Sequence, residues 1–285
     1  VYEKDEKTKR YVKTSDRFNY VFNKSHVSLM PRMFSEDKDV MSNYVSMYGA
    51  PDFQFNFENE EAANSPEAKQ IFEELRAKYE DGSIKAEDYL KVKPYDIIKV
   101  QRPSLGQNLS YFIEFQNGYY FLRYLMWNFV GRQNDLEGSY EDTKGNWISG
   151  ISFIDNLRLP DQNTLPAKFK NESTVAFFFL PFILGLIGFL FQLNKDFGRF
   201  YSVLSLFILT SVGIVFYTGM KPFEPRERDY ALVGSFYAFA IWIGLGAGAI
   251  LWFLQTKVKS SATNIGVGIL LLGVPFMMGF QNYNT

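Results

Sequence analysis

The chain has 285 residues, a formal net charge of −1, 47% hydrophobic and 18% aromatic residues, and no cysteine. That length holds a soluble domain together with a membrane domain. A near-zero charge offers no field for nucleic acid, and without cysteine there are no disulfides and no thiolate metal sites.

His26 is the single histidine and sits in polar NKSHVS, so neither a histidine metal site nor a Ser-His-Asp triad is offered. Charge is concentrated in residues 1–174, whereas 175–281 reads as apolar runs broken by short polar loops. The expected fold is therefore a mainly α membrane protein. Three regions follow: 1–108 is an extracytoplasmic α+β soluble region, 109–174 an interfacial helix with its following loops, and 175–285 a transmembrane domain. The chain starts at Val1 without a signal peptide and stops just after an apolar helix, which leads us to expect a piece of a larger protein.

Residues 11–15 have the pattern of an edge strand, and 27–48 that of a surface-packed segment. Residues 65–79, SPEAKQIFEELRAKY, predict the clearest soluble helix. Ser65 is its N-cap, Pro66 its first residue and Gly82 its stop, with Ile71, Phe72 and Leu75 as an apolar stripe. Residues 94–105 read as a short strand leaving by a turn.

Residues 109–130 are about long enough to span a bilayer. They also hold Glu114, Arg123 and nine aromatics between Gly106 and Val130. Tyr and Trp prefer the headgroup level, where charges stay wet, so an interfacial or re-entrant helix is expected rather than a span. It delivers WNFVGRQND (127–135), and GNWISGISFID (145–155) follows after turn-forming glycines. The sequon triplets at Asn23, Asn108 and Asn171 are common by chance.

Four apolar runs, 175–193, 201–219, 231–254 and 264–280, approach the spanning length and predict four transmembrane helices. GLGAG at 244–248 fits a small-xxx-small crossing, and Pro181 and Pro275 are expected to kink their helices. Four spans place the soluble region, the 127–155 loops and the tip at 221–229 on one face. Loops 194–199 and 255–263 fall on the other, assigned to the cytoplasm although lysine and arginine counting barely discriminates.

The tip, EPRERD, carries Glu224, Arg226, Glu227, Arg228 and Asp229. Such charge at a membrane boundary is costly unless it pairs or faces a polar ligand. Planar arginine forks suit phosphate, and the phosphate at hand on a membrane surface is a lipid headgroup. Paired carboxylates can deprotonate a hydroxyl or hold a divalent cation. The plainer alternative is a structural network in which the tip charges neutralise one another.

WNFVGRQND, GNWISGISFID and EPRERDYALVGSFYAFAIWIGLG together resemble a bacterial family of large polytopic proteins related to protein O-mannosyltransferases, the family 117 glycosyltransferases. The likeness runs from about Tyr111 to the C-terminus. It implies a four-helix segment of a GT-C-type fold in the bacterial cytoplasmic membrane. The implied activity takes a sugar from a polyprenyl-phosphate donor to a protein hydroxyl or envelope glycan on the outer face. It also implies that the catalytic carboxylate lies outside this chain, on the rest of the same polypeptide.

Carried over onto matching positions, Arg132, Arg226 and Arg228 are expected donor-phosphate contacts. Asn134, Asp135, Trp147, Glu227 and Asp229 support them. No metal ligands or certain cofactor are assigned, and no nucleic-acid partner is expected; a divalent cation is left open. The rival reading is a structural or partner-binding subunit of an envelope complex. A transporter is disfavoured, since paired broken helices with buried charges are missing.

Overall fold

A computed structural model describes residues 2–13, 38–49, 51–85, 88–89, 92, 95–101, 103–138, 140–222, 229–258 and 260–283. The described chain is mainly helical, with three antiparallel two-stranded pairings. In the soluble region, β1 (Tyr2–Lys4) pairs with β2 (Tyr11–Lys13), where the edge strand is expected. Ser15 and His26 lie outside the described residues. Next come α1 (Lys38–Tyr48), β3 (Phe53–Phe55), α2 (Glu60–Asn64), α3 (Pro66–Glu80) and β4 (Ile98–Val100). β3 and β4 pair with Phe53 opposite Val100 and Phe55 opposite Ile98.

Helix α3 begins as its sequence dictates. Ser65 Oγ accepts from Ala68 N at 3.2 Å, satisfying one orphan N–H of the first turn. It ends at Asp81 and Gly82, whose φ of +75° suits glycine. Phe72 and Leu75 pack on Phe53, Tyr89 and Ile98, whereas Ile71 falls outside that stripe and is exposed.

The 109–130 stretch is one long helix: α4 (Leu105–Ser110), a widened π-helical part (Tyr111–Leu122) and α5 (Arg123–Phe129). A reciprocal cap starts it. Ser104 Oγ accepts from Gln107 N at 3.2 Å and Gln107 Oε1 accepts from Ser104 N at 2.9 Å. One face does not lie free at an interface but packs into the bundle. Tyr120, Phe121, Tyr124, Leu125 and Phe129 share a core with Phe200, Val215, Leu232, Phe239 and Trp242. Arg123 is not wet either: it is 4% exposed. Its guanidinium carbon lies 4.5, 4.4 and 5.2 Å from the ring centres of Tyr119, Tyr124 and Trp127, and Nη1 donates to Gly145 O at 2.8 Å. A delocalised, weakly hydrated cation accepts ring faces and a carbonyl in place of water.

The remaining helices are α6 (Ser152–Asp155), α7 (Leu180–Lys195), α8 (Phe197–Ile208), which runs through Leu209–Gly213 into α9 (Ile214–Thr218), α10 (Val233–Lys257) and α11 (Ser261–Gln281). Among the described residues, three helices are long and apolar enough to cross a membrane: Phe197–Thr218, Asp229–Lys257 and Ser261–Gln281. The first expected span differs. Val175–Ala176 forms β6, paired with β5 (Gly131–Arg132), and Phe178 and Phe179 turn the chain with φ of +54° and +60°. Only 16 residues remain for α7. That is about 24 Å, short of the ~30 Å hydrocarbon core. Pro181 sits in the first turn of α7, where its missing N–H costs nothing, so it gives no kink; Pro275 lies inside α11.

Helices α7 and α10 cross closely. A Cβ at Gly188 would lie 1.8 Å from Trp242 O, and one at Gly246 would lie 1.9 Å from Leu184 O. Of the GLGAG glycines only the middle one makes this contact; Gly244 and Gly248 face open space. Trp242 is ringed by Phe189, Phe200, Phe207 and Phe239, and its Nε1 donates to Gln192 Oε1 at 2.8 Å.

Candidate functional site

After α5 the backbone passes between two others. Gly131 has φ +146°, and a Cβ there would meet Ile148 O and Val175 O, each at 2.6 Å. Only glycine fits between the two flanking strands. Its neighbour Arg132 pairs with Val175 on one side and bridges to Trp147 on the other. The WNFVGRQND and GNWISGISFID motifs are thus joined through the backbone.

Polar side chains hold the loop closed. Asn134 is 0% exposed. Its Nδ2 donates to Thr143 O at 3.0 Å and Phe169 O at 2.9 Å, while its Oδ1 accepts from Gly145 N at 2.8 Å and Leu136 N at 3.3 Å. Gln133 Nε2 donates to Asp142 O at 3.0 Å and Gln162 Oε1 at 2.9 Å, and its Oε1 accepts from Asn146 Nδ2 at 3.0 Å. The buried Asp155 carboxylate accepts from Ser149 N at 2.8 Å, Ser149 Oγ at 2.9 Å and Gly150 N at 2.9 Å. Trp147 is covered by Arg158, whose guanidinium carbon is 3.8 Å from the ring centre and whose Nη2 donates to Trp147 O at 2.5 Å. Burial draws the Arg158 guanidinium below the ordinary arginine value, and Asp155 opposes that.

Arg132 is the exception to this saturation. Its Nε donates to Ser173 O at 2.8 Å and its guanidinium carbon sits 5.6 Å from the Trp127 ring centre. Its buried Nη2 has no hydrogen-bond partner among the described residues. Burial lowers its pKa, and the negative charges of Asp135 and Asp229 oppose the shift. Asp135 is itself tied to the loop: its N–H donates to Ser173 Oγ at 3.1 Å and its Oδ1 accepts from Asn171 Nδ2. The structure therefore brings Arg132, Asn134, Asp135 and Trp147 into one loop and sets Asp229 within electrostatic reach of Arg132. Arg226, Glu227 and Arg228 lie outside the described residues.

The strand of chain leading to the tip is clamped. Tyr111 Oη and Gln116 Nε2 both donate to Met220 O, at 2.5 and 2.8 Å, and Asn43 Nδ2 donates to Pro222 O at 3.2 Å. The soluble helix α1 thus touches the same bundle end as the motif loop's helix. Among the described residues no three histidine or acidic side chains converge as a metal site.

Several residues central to this arrangement carry no strong sequence signal. Ser173 and Asn171 meet residues 36 to 41 positions away. Arg158 lies just past the end of the GNWISGISFID motif and reaches Trp147, 11 positions back. Chemically, the arrangement offers a partly desolvated guanidinium nitrogen free to donate a charge-assisted bond to an anion.

A family model described as a family of unknown function (DUF8416) matches residues 1–113. That match covers the soluble region and stops within the long helix, before the motif loop. No curated protein and no solved structure matches the chain.

Proposed function

We propose that this chain is part of an integral membrane glycosyltransferase that receives a sugar from a polyprenyl-phosphate donor and passes it to a protein hydroxyl or envelope glycan. The reaction is assigned to the outer face of a bacterial cytoplasmic membrane, with the 131–176 loop beside the donor headgroup. The observation that carries this reading is the unpartnered Arg132 Nη2 at the end of a membrane bundle. In a saturated polar loop, one guanidinium nitrogen left without an acceptor is expensive unless a ligand supplies one. A phosphate oxygen answers that need.

Within this reading Arg132 touches the donor, and Asp135 and Asp229 temper its charge. Asn134 and Trp147 hold the loop, because their polar groups and ring are already engaged. Arg226 and Arg228 remain proposed phosphate contacts, with Glu227 orienting them. The donor's leaving phosphate carries the developing charge, and fixed donors there lower the barrier.

The test is sugar transfer by the full-length protein in membranes, with a polyprenyl-phosphate sugar as donor. Arg132→Ala is expected to lower transfer at least about tenfold, the loss of one charge-assisted bond in the transition state. Its melting temperature is measured alongside, so that lost transfer is separated from lost fold. Transfer at the wild-type rate by a folded Arg132→Ala protein overturns the donor-phosphate role. Failure of Arg132→Ala to join an envelope complex, with transfer intact, supports the structural-subunit reading instead.

A further inference from the structure

We propose that the 150–157 turn, with Phe178, rests in the acyl-chain region of the adjacent lipid leaflet and completes the short helix α7 as a membrane element. This inference is independent of the glycosyltransferase reading. Three observations lead to it.

The first is exposure in one place. Phe153 is 78% exposed and Leu157 76% exposed. They are four residues apart on a continuous turn, since Asn156 N donates to Ser152 O at 2.9 Å and Leu157 N to Ile154 O at 3.3 Å. Both stand out from the same turn. Ile151 and Phe178 are exposed beside them, and a Cβ at Gly150 would touch the Phe178 ring at 2.9 Å. Large apolar side chains exposed together around one turn mark an interaction surface.

The second is continuity. Phe178 N donates to Ser149 O at 3.1 Å, so the turn is bonded to the residues that open α7. The exposed Leu180 and Ile183 of α7 carry the apolar surface onward. A lipid-facing helix side thus runs directly into the turn.

The third is length. Helix α7 has 16 residues, which is about 24 Å against a hydrocarbon core of ~30 Å. A short apolar helix needs other apolar groups to fill the missing depth. Irregular backbone is tolerated near that depth only if its polar groups are satisfied. Here most amides of the turn are: Gly150 N donates to Asp155 Oδ2, Ile151 N to Ser149 Oγ, and the N–H groups of residues 154–157 to carbonyls three or four residues back. Trp147 and Arg158 form a stacked, amphipathic border suited to the headgroup level.

The absence of cysteine from the chain makes the test direct. Nitroxide labels are attached to Phe153→Cys, Leu157→Cys and, as a soluble-side reference, the exposed Glu73→Cys, in the membrane-embedded protein. Collision with dissolved oxygen, which partitions into lipid, is compared with collision with a water-soluble nickel complex. The expected result is oxygen-dominated collision at 153 and 157 and nickel-dominated collision at 73. Nickel access at 153 and 157 equal to that at 73 overturns the proposal in favour of a solvated turn. Protection from both reagents overturns it in favour of a protein partner. The labelled side chains are surface groups, and a melting temperature equal to that of the unlabelled protein shows that the fold is retained.

Discussion

At the α7–α10 crossing, backbone meets backbone because Gly188 and Gly246 carry no side chain. In the 131–176 loop, contact is made by long polar side chains that reach carbonyls and amides far along the chain. Both regions exclude solvent, yet they depend on different things. The crossing needs vacancies at fixed positions, and small residues let helices without a hydrophobic driving force come within van der Waals reach. The loop needs every polar atom matched, because a buried group left alone costs its full desolvation. A methyl group is therefore the most damaging change in one region, and the loss of an amide in the other.

The largest expected effect follows from the crossing. Gly188→Leu and Gly246→Leu place side-chain atoms where Trp242 O and Leu184 O already lie, at 1.8 and 1.9 Å from the first added carbon. The obstacle is helix backbone, which cannot rotate aside. Each is expected to cost about 3 kcal/mol or more, at or beyond the upper end for overpacked sites. Unfolding of the detergent-solubilised protein measures this, and wild-type melting by both variants would break the comparison at its root.

The loop's counterpart is Asn134→Ala. It strands the carbonyls of Thr143 and Phe169 and the N–H groups of Gly145 and Leu136. A loss of about 2–3 kcal/mol is expected, since some of the freed groups find water. Asp155→Ala frees the Ser149 and Gly150 amides in the same way and should cost a similar amount. Local proteolysis of the loop, with the membrane helices left intact, is the readout that separates this damage from that at the crossing.

The two regions also differ in how far sequence exposes them. Apolar length alone places the later spans well: the run at 201–219 becomes Phe197–Thr218, and that at 264–280 becomes Ser261–Gln281. The Ser65-Pro66 start of α3 is equally legible, because capping is settled within four residues. The run at 175–193 misleads because pairing of Val175–Ala176 with Gly131–Arg132 overrides hydropathy and forces the turn at Phe178 and Phe179. For the loop, Arg132 and Asn134 stand out as polar residues in a motif, but their partners at Ser173 and Phe169 follow no period. Arg123 fails for a third reason: hydropathy treats a charge as needing water, and three ring faces supply a substitute.

The soluble region adds an intermediate case, in which a buried hydroxyl joins aromatic packing. Tyr89 Oη donates to Pro51 O at 2.5 Å beneath Phe53 and Tyr79. Burial raises its pKa, and Tyr48 is pushed up to about 12, chiefly by burial and then by Glu114. In the unfolded chain tyrosine ionises near its ordinary value of about 10. The folded state holds its proton longer, so stability is complete below about pH 10 and falls as pH rises toward the folded pKa. Denaturation midpoints taken from about pH 8 to about pH 11 should fall at the alkaline end. Tyr89→Phe should lose about 1 kcal/mol at neutral pH and show a shallower alkaline decline. A decline of unchanged steepness would assign it elsewhere.

The smallest expected effect tests whether the crossing depends on position or on glycine as such. Gly244 and Gly248 lie two residues either side of Gly246, on the opposite face of α10, and a Cβ at either meets nothing within 4 Å. In water, alanine would favour the helix over glycine by about 1 kcal/mol. In a bilayer the backbone bonds are already enforced by the lack of water, which shrinks that preference. Gly244→Ala and Gly248→Ala should therefore change stability by no more than about 0.5 kcal/mol, the range of substitutions that touch nothing. Gly246→Ala, one carbon in the wrong place, should cost about 2 kcal/mol on the same scale. Equal losses at all three positions would mean that α10 packs by a different face, and the contrast between a region held by vacancies and one held by amides would fail there first.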